Sequence, residues 1–336
     1  MTDARPLAVY TDSDDLDVSE GVELLSTSGF RVKVLQSRDA EVIADAAADA
    51  TVLLVGYAPI DRDLLRRLPA LKVISLLSRG FDNIDVEAAT QQGIWVCTVG
   101  EAAAEEVSTH AWTMTLAMIR QLPFFAGFPH TREWTERPAV LPRRVSELTV
   151  GVLGLGSTGR RYAALAAATG ARRVLGFDIR SNRPAHPDGR HLLHGIEGAE
   201  VTDLDTVLAV SDVISLHLPL TADTKHIINA SNLSRMRPGS YLINISRGSL
   251  VNSDHLLAAL DSGLLAGAAL DVFATEPPPA DDPLLNHPHV LSTPHIAYLS
   301  DATQAHYVNA QARNVVHWVQ SGTPALAVNQ VVSTPC

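Results

Sequence analysis

The chain has 336 residues, 46% of them hydrophobic and 19% charged, enough to bury the cores of two domains. Its formal net charge of −11 argues against general binding to nucleic acid or to an acidic membrane surface, both of which need clustered Lys and Arg. Only Cys97 and Cys336 are present, far apart and without a CxxC, so neither a disulfide framework nor a Cys-based zinc site is expected, no metal is assigned, and two free thiols fit a reducing cytoplasm. The amino-terminal MTDARPLAVYTDSDD is acidic where a signal peptide is basic and then apolar, and no apolar run reaches membrane-spanning length.

Short apolar runs at Leu7 to Tyr10, Val32 to Leu35, Val52 to Val55, Val73 to Leu77 and Ile94 to Cys97 read as buried parallel strands. They alternate with helices such as Glu20 to Ser28 and Asp61 to Leu68, as in a small flavodoxin-like domain. A long amphipathic helix follows over Glu101 to Gln121, with Glu101, Glu105 and Glu106 complementing the positive end of its dipole. Residues 122 to 147 read as irregular. Phe124, Phe125, Phe128 and Trp134 in this stretch are poorly suited to water, which predicts an arm that packs on another subunit.

A second alternating block runs from 148 to about 295. Its first strand (LTVGVLGL, 148 to 155) leads into Gly154, Gly156 and Gly159 in GxGxxG spacing, with a helix through Tyr162 and Leu165 behind them. Gly154 permits the tight turn, Gly156 lets backbone approach a diphosphate, and Gly159 lets the helix pack on the strand, while the unpaired helix N–H groups face the anion. Val174 to Phe177 then ends at Asp178, about twenty residues on, where a carboxylate can accept hydrogen bonds from a ribose 2′-hydroxyl. That order of strand, turn, helix and acid predicts NAD as cofactor. Arg180, two residues further, could meet a 2′-phosphate and places NADP second.

Further strands are read at Val213 to Leu216, Tyr241 to Ile245, Ala268 to Val272 and Val290 to Ser292, with a stiff surface turn at Pro277, Pro278 and Pro279 ahead of the last. A final helix, about Asp301 to Gln320, carries an apolar stripe of Val308, Ala312, Val315, Val316 and Val319, expected to fold back on the first block. Chemistry in a doubly wound sheet gathers at the carboxyl ends of the strands. Three motifs fall there. Asn244 to Gly248 ends a strand on Arg247, whose planar fork suits a carboxylate and an adjacent carbonyl oxygen; LDVFATEP carries Asp271 and Glu276; and TPHIA places His295 just past the last strand, where a neighbouring carboxylate would favour its protonated form.

With these motifs in order, the whole chain resembles the D-2-hydroxyacid dehydrogenase family, NAD-dependent enzymes that interconvert 2-oxo and 2-hydroxy acids. The resemblance rests on the glycine turn with Asp178, SLHLPLTADTKHIIN at 215 to 229, RPGSYLINISRGSLV at 237 to 251, LDVFATEP at 270 to 277 and TPHIA at 293 to 297. It implies a Rossmann nucleotide domain over 101–295 and a discontinuous flavodoxin-like substrate domain over 1–100 and 296–336. It implies catalysis by Arg247, Glu276 and His295. Cofactor contacts fall on Gly154, Gly156, Ser157, Thr158, Gly159, Asp178, Leu218, Pro219, Thr224, Ile245, Arg247, Asp271 and His295, and substrate contacts on Ser78, Arg79, Gly80, Arg247, His295 and Tyr298. A homodimer and a small anionic 2-oxo or 2-hydroxy acid substrate are implied as well.

The chain departs from the family at Ser78-Arg79-Gly80-Phe81-Asp82-Asn83-Ile84-Asp85, where the usual pattern opens on a Gly-x-Gly turn. A basic residue at Arg79 resembles the phosphite dehydrogenase branch and suggests a second anion site, for phosphite, a phosphonate, a phosphorylated acid or a dicarboxylate; the alternative is a surface arginine paired with Asp82 or Asp85. Tyr298 stands where the related C-terminal-binding-protein corepressors carry a tryptophan facing the substrate. A dinucleotide-sensing binding protein is therefore the reading from another class. Trp134 either packs within the arm or closes over a site.

Overall fold

The computed structural model describes residues 5–13, 16–126, 133–179 and 192–331. The chain divides into two compact units, residues 1–102 with 300–336, and residues 103–299. The boundaries read from sequence, after 100 and after 295, fall a few residues earlier. Phe128, Arg180 and Cys336 lie outside the described residues.

In chain order the elements are β1 (Leu7–Tyr10), α1 (Ser19–Thr27), β2 (Arg31–Val34), α2 (Ala40–Ala46), β3 (Ala50–Val55), α3 (Arg62–Arg66), β4 (Val73–Leu76), α4 (Val86–Gln91) and β5 (Trp95–Cys97). There follow α5 (Ala104–Ile119), α6 (Leu122–Ala126), β6 (Thr149–Leu153), α7 (Ser157–Ala168), β7 (Arg173–Phe177), β8 (Ala199–Val201) and α8 (Leu204–Val210). The last are β9 (Val213–Leu216), α9 (Ala230–Leu233), β10 (Ser240–Asn244), α10 (Ser253–Asp261), β11 (Leu265–Leu270), β12 (Val290–Ser292) and α11 (Thr303–Ser321).

The first unit is a five-stranded parallel sheet in the order β2-β1-β3-β4-β5, the flavodoxin-like arrangement. β1 and β4 are buried along their whole length, so their apolar runs are continuous rather than alternating. Asp39, Asp61 and Asp85 accept hydrogen bonds from first-turn amides of α2, α3 and α4, each cap worth about 1 kcal/mol. These short helices are fixed by caps and by apolar faces on the sheet, since helices of 5 to 7 residues do not hold alone.

Helix α11 belongs to this unit and covers its sheet with a mixed face. Tyr307, Val308, Ala312 and Val315 are buried, but so are Gln311 and Asn314, and Val319 of the expected stripe is 53% exposed. Gln311 Nε2 donates to Ser75 O at 2.9 Å and Asn314 Nδ2 to Thr98 O at 2.9 Å, while Ser75 Oγ donates to Gln311 O at 2.9 Å. The strand-end carbonyls need donors, and two amides supply them where an all-apolar stripe would leave them unsatisfied.

The second unit is a seven-stranded parallel sheet in the order β12-β11-β10-β9-β6-β7-β8. β6, β9 and β10 are buried throughout. The order reverses between β6 and β9, the switch point at which such sheets open a crevice. Helix α5 starts at Ala104 with Glu105 and Glu106 in its first turn, leaving Glu101 outside the helix. Residues 122–126, expected to be irregular, form α6. Beyond it Trp134 is 79% exposed and so packs little within its own chain, while Phe125 is 36% exposed.

Candidate active site

The glycine turn joins β6 to α7 at the switch point. Gly154 has φ +99°, and a Cβ there would lie 2.4 Å from the His217 carbonyl oxygen; a Cβ on Gly159 would lie 1.9 Å from the Gly154 carbonyl oxygen. Turn, helix and the exit of β9 are therefore in backbone contact that only glycine permits. Gly156 begins α7 in extended conformation with no side chain capping it, so the electropositive helix end stays open to an anionic ligand. Asp178, 4% exposed at the end of β7, accepts the Leu155 N–H through Oδ2 at 2.8 Å and so braces the turn. A cradle that a single methyl group would fill, with a carboxylate at its far strand, fits a dinucleotide diphosphate and ribose. Ser157 and Thr158 occupy the first turn of α7, and Ile245 is buried at the end of β10.

Two further cofactor positions behave differently from a simple contact. Leu218 is buried, and Thr224, 3% exposed, donates its hydroxyl to Pro219 O at 2.6 Å and receives the Thr221 N–H at 2.8 Å. The hydroxyl thus closes the Pro219 turn on itself. His217, one residue before Leu218, was not singled out by the sequence. Thr115 Oγ1 donates to Ala111 O and meets Tyr162 OH at 2.8 Å, Tyr162 OH is bonded to Ser215, and Ser215 Oγ lies 2.9 Å from His217 Nε2. His217 Nδ1 is buried with no partner among the described residues, and burial pushes its pKa down to about 3.

The second cluster lies at the ends of β10, β11 and β12. Asn244, 1% exposed, donates from Nδ2 to Arg247 O at 2.9 Å and accepts the Ser246 N–H at 3.1 Å, while Ser246 Oγ donates to Leu216 O at 2.8 Å. These bonds fix the half-buried Arg247. A Cβ on Gly248 would lie 2.0 Å from the Phe273 carbonyl carbon, so the Arg247 loop presses on the loop that carries Glu276. Glu276 Oε1 accepts the Phe273 N–H at 2.9 Å, and Oε2 lies 2.6 Å from His295 Nδ1. Burial pushes the Glu276 carboxyl up, but the hydrogen bond and charge of His295, the Phe273 amide and the charge of Arg247 together bring it below its ordinary value. A guanidinium, a carboxylate held ionised and an imidazole therefore act on one another.

His295 has φ +54°, in the left-handed region that side chains other than glycine seldom adopt. Its N–H donates to Asp271 O at 2.8 Å, and the fully buried Asp271 carboxylate accepts Thr293 Oγ1 at 2.6 Å, Ile296 N at 2.9 Å and Ala297 N at 3.0 Å. The carboxylate read from sequence as a ligand contact is here the anchor of the TPHIA turn. Tyr298 is half-buried three residues after His295. Ser78, Arg79 and Gly80 belong to the first unit, just past β4: Ser78 Oγ donates to Gly80 O at 2.6 Å and Arg79 is exposed. Asp85, offered as a partner for Arg79, caps α4 and faces Arg62 Nε at 3.5 Å instead. Among the described residues no group of three or more His, Cys, Asp and Glu is placed to hold a metal, and no helix is long and apolar enough to cross a membrane.

Fold and turn together define a doubly wound dinucleotide-binding unit carrying a histidine–carboxylate pair and an arginine at its strand ends. Residues 112–297 match the model of the D-isomer specific 2-hydroxyacid dehydrogenase, NAD binding domain. The chain is 34% identical over 323 residues to the glyoxylate reductase of Aeropyrum pernix, covering 93% of each. It is 35% identical over 276 residues to that of Thermofilum pendens, covering 81% of this chain and 79% of the relative. The structure of D-lactate dehydrogenase from Aquifex aeolicus, complexed with NAD and lactic acid, superposes with a TM-score of 0.81 at 29% identity, covering 95% of this chain and 98% of that one. This chain belongs to the D-isomer-specific 2-hydroxyacid dehydrogenase family, and its second unit is an NAD-binding domain.

Proposed function

We propose that this protein reduces a small 2-oxo acid to the D-2-hydroxy acid, and catalyses the reverse, with His295 as general acid and base. The observation that carries the reading is the 2.6 Å contact of His295 Nδ1 with Glu276 Oε2 beside Arg247. NADH, when bound, supplies the hydride delivered to C2 of the substrate. Arg247 binds the carboxylate and polarises the ketone, so that the negative charge growing on its oxygen meets a fixed cation. Because Nδ1 of His295 is committed to Glu276, Nε2 is the nitrogen that passes the proton to that oxygen, and that accepts it in oxidation. Glu276 fixes ring and tautomer. On the strength of the family resemblance, Asp178 accepts from the ribose hydroxyls and selects NAD over NADP, and Ser78, Gly80 and Tyr298 contact substrate.

The test is NADH oxidation by the purified protein with a panel of 2-oxo acids, beginning with glyoxylate, for wild type and His295→Gln. The variant is expected to bind NADH normally and to lose about 10²- to 10⁴-fold in turnover; unchanged turnover removes the assignment. A second reading, favoured by the exposed Arg79 on a loop braced by Ser78, is a doubly charged substrate or phosphite. A loss on Arg79→Ala confined to phosphite, hydroxyphosphonates and dicarboxylates establishes it. The intact Arg247, Glu276 and His295 favour turnover over a purely sensing role. We also propose a homodimer in the cytoplasm, on the apolar surface of the arm, where Leu122, Trp134 and Leu141 are 55%, 79% and 65% exposed; sedimentation of the purified protein tests the stoichiometry.

A further inference from the structure

His110 lies on α5, with no place in the motifs that define the site. Its Nε2 is 3.1 Å from Thr293 Oγ1 and 3.7 Å from Asp271 Oδ1. The direction of the bonds follows from counting hydrogens. Thr293 has one hydroxyl hydrogen, and at 2.6 Å from a carboxylate oxygen it is given to Asp271. The hydroxyl oxygen must then accept from His110, which fixes the hydrogen of His110 on Nε2.

The chain runs His110 to Thr293 to the Asp271 carboxylate, which grips the amides of Ile296 and Ala297, while the Asp271 backbone carbonyl accepts that of His295. Those bonds to the His295, Ile296 and Ala297 amides hold His295 at φ +54°, a strained conformation that persists only where the surroundings impose it. Oδ1 of Asp271 is shared between Thr293 and Ile296. If the Thr293 hydroxyl loses the bond it accepts from His110, it can rotate away from Oδ1, and the carboxylate is then held only by the Ile296 and Ala297 amides.

From this arrangement we infer that His110 is a positioning residue for His295, acting through Thr293 and Asp271. The inference rests on the reading of His295 as the acid and base. A helix outside the strand ends thereby sets the aim of the imidazole, while the Glu276 contact sets its tautomer. A misaimed ring slows proton transfer without touching the diphosphate cradle, so the loss falls on kcat and spares NADH binding.

The experiment measures kcat and KM for glyoxylate, and NADH affinity by fluorescence, in His110→Leu, His110→Gln, Thr293→Val, the His110→Leu/Thr293→Val double variant and His295→Gln. Leu fills space without donating, whereas Gln can present an N–H where Nε2 stands. We expect kcat to fall about tenfold in His110→Leu and in Thr293→Val with NADH affinity kept, and to return to within about twofold of wild type in His110→Gln. The double variant is expected to be no worse than the poorer single one, since both cut one chain. Full kcat in His110→Leu, a Gln variant as slow as Leu, or losses that multiply in the double variant each overturn the inference. Should His110→Leu not fold, His110→Gln and Thr293→Val decide it by the same readouts. Turnover retained in His295→Gln would instead overturn the parent reading, whatever His110 does.

Discussion

A Cβ on Gly248 would stand 2.0 Å from the carbonyl carbon of Phe273, so the loop bearing Arg247 and the loop bearing Glu276 meet backbone to backbone. Gly248→Ala must therefore separate them. Displacement of a catalytic group by about 1 Å can cost on the order of 10²-fold, and kcat/KM for a 2-oxo acid is expected to fall by about that factor while NADH affinity changes little. Steady-state kinetics with a parallel NADH titration checks it, and a variant with unaltered kcat/KM would refute the dependence on this contact.

Replacing Glu276 by Gln keeps a hydrogen-bond acceptor near His295 Nδ1 but removes the charge. Turnover is expected to drop about 10- to 100-fold, less than for His295→Gln, because orientation survives and electrostatic support does not. The wild-type carboxyl lies below its ordinary pKa, so the charge is present above that value and is lost as pH falls through it. In the acid range the wild type should accordingly approach the variant. Rate against pH for both proteins is the measurement, and a gap that stays constant at acid pH contradicts the claim.

Asp178 has one oxygen on the Leu155 amide, and in the proposed role its charge rejects a 2′-phosphate. Asp178→Asn is expected to weaken NADH by about 10- to 100-fold, the worth of a hydrogen bond to a charged group, and to narrow the gap to NADPH. Competitive titration of both nucleotides reads the ratio. A ratio equal to that of wild type would sink the assignment.

His217 is pushed down to about 3 from an ordinary 6.5, so between those values the unfolded chain takes up a proton that the folded chain refuses. Stability is then expected to fall as pH drops below 6.5, with a limiting slope of about 1.4 kcal/mol per pH unit. His217→Gln, which does not titrate, should lose ground to wild type near pH 7.5 and recover about 2 kcal/mol of it near pH 5. Urea midpoints at the two pH values provide the comparison; an equal difference at both would be the wrong outcome.

The strands were legible because buried parallel strands are written as unbroken apolar runs, and Leu7–Tyr10, Val213–Leu216 and Val290–Ser292 were read to the residue. The glycine turn was legible because its steric demand admits one residue type. Arg247, Glu276 and His295 were found by motif order, and their mutual contacts could not be read from spacing. Gln311 and Asn314 were missed because their partners, Ser75 and Thr98, lie over two hundred residues away and leave no local trace. His110 was missed because its partner Thr293 is likewise distant in sequence, and His217, although its partner Ser215 is two residues away, because a lone histidine in an apolar run carries no periodicity. Val319 failed as core, standing 53% exposed in the last turn of α11.

Because α11 supplies amide donors to Ser75 and Thr98, the unit begun first on the ribosome is finished last. Residues 103–299 emerge as one continuous stretch and can close their sheet while translation is still under way. In that order the nucleotide cradle can form before the amino-terminal sheet receives the helix that covers it. A truncation that removes α11 should damage the older segment of the chain and spare the younger one.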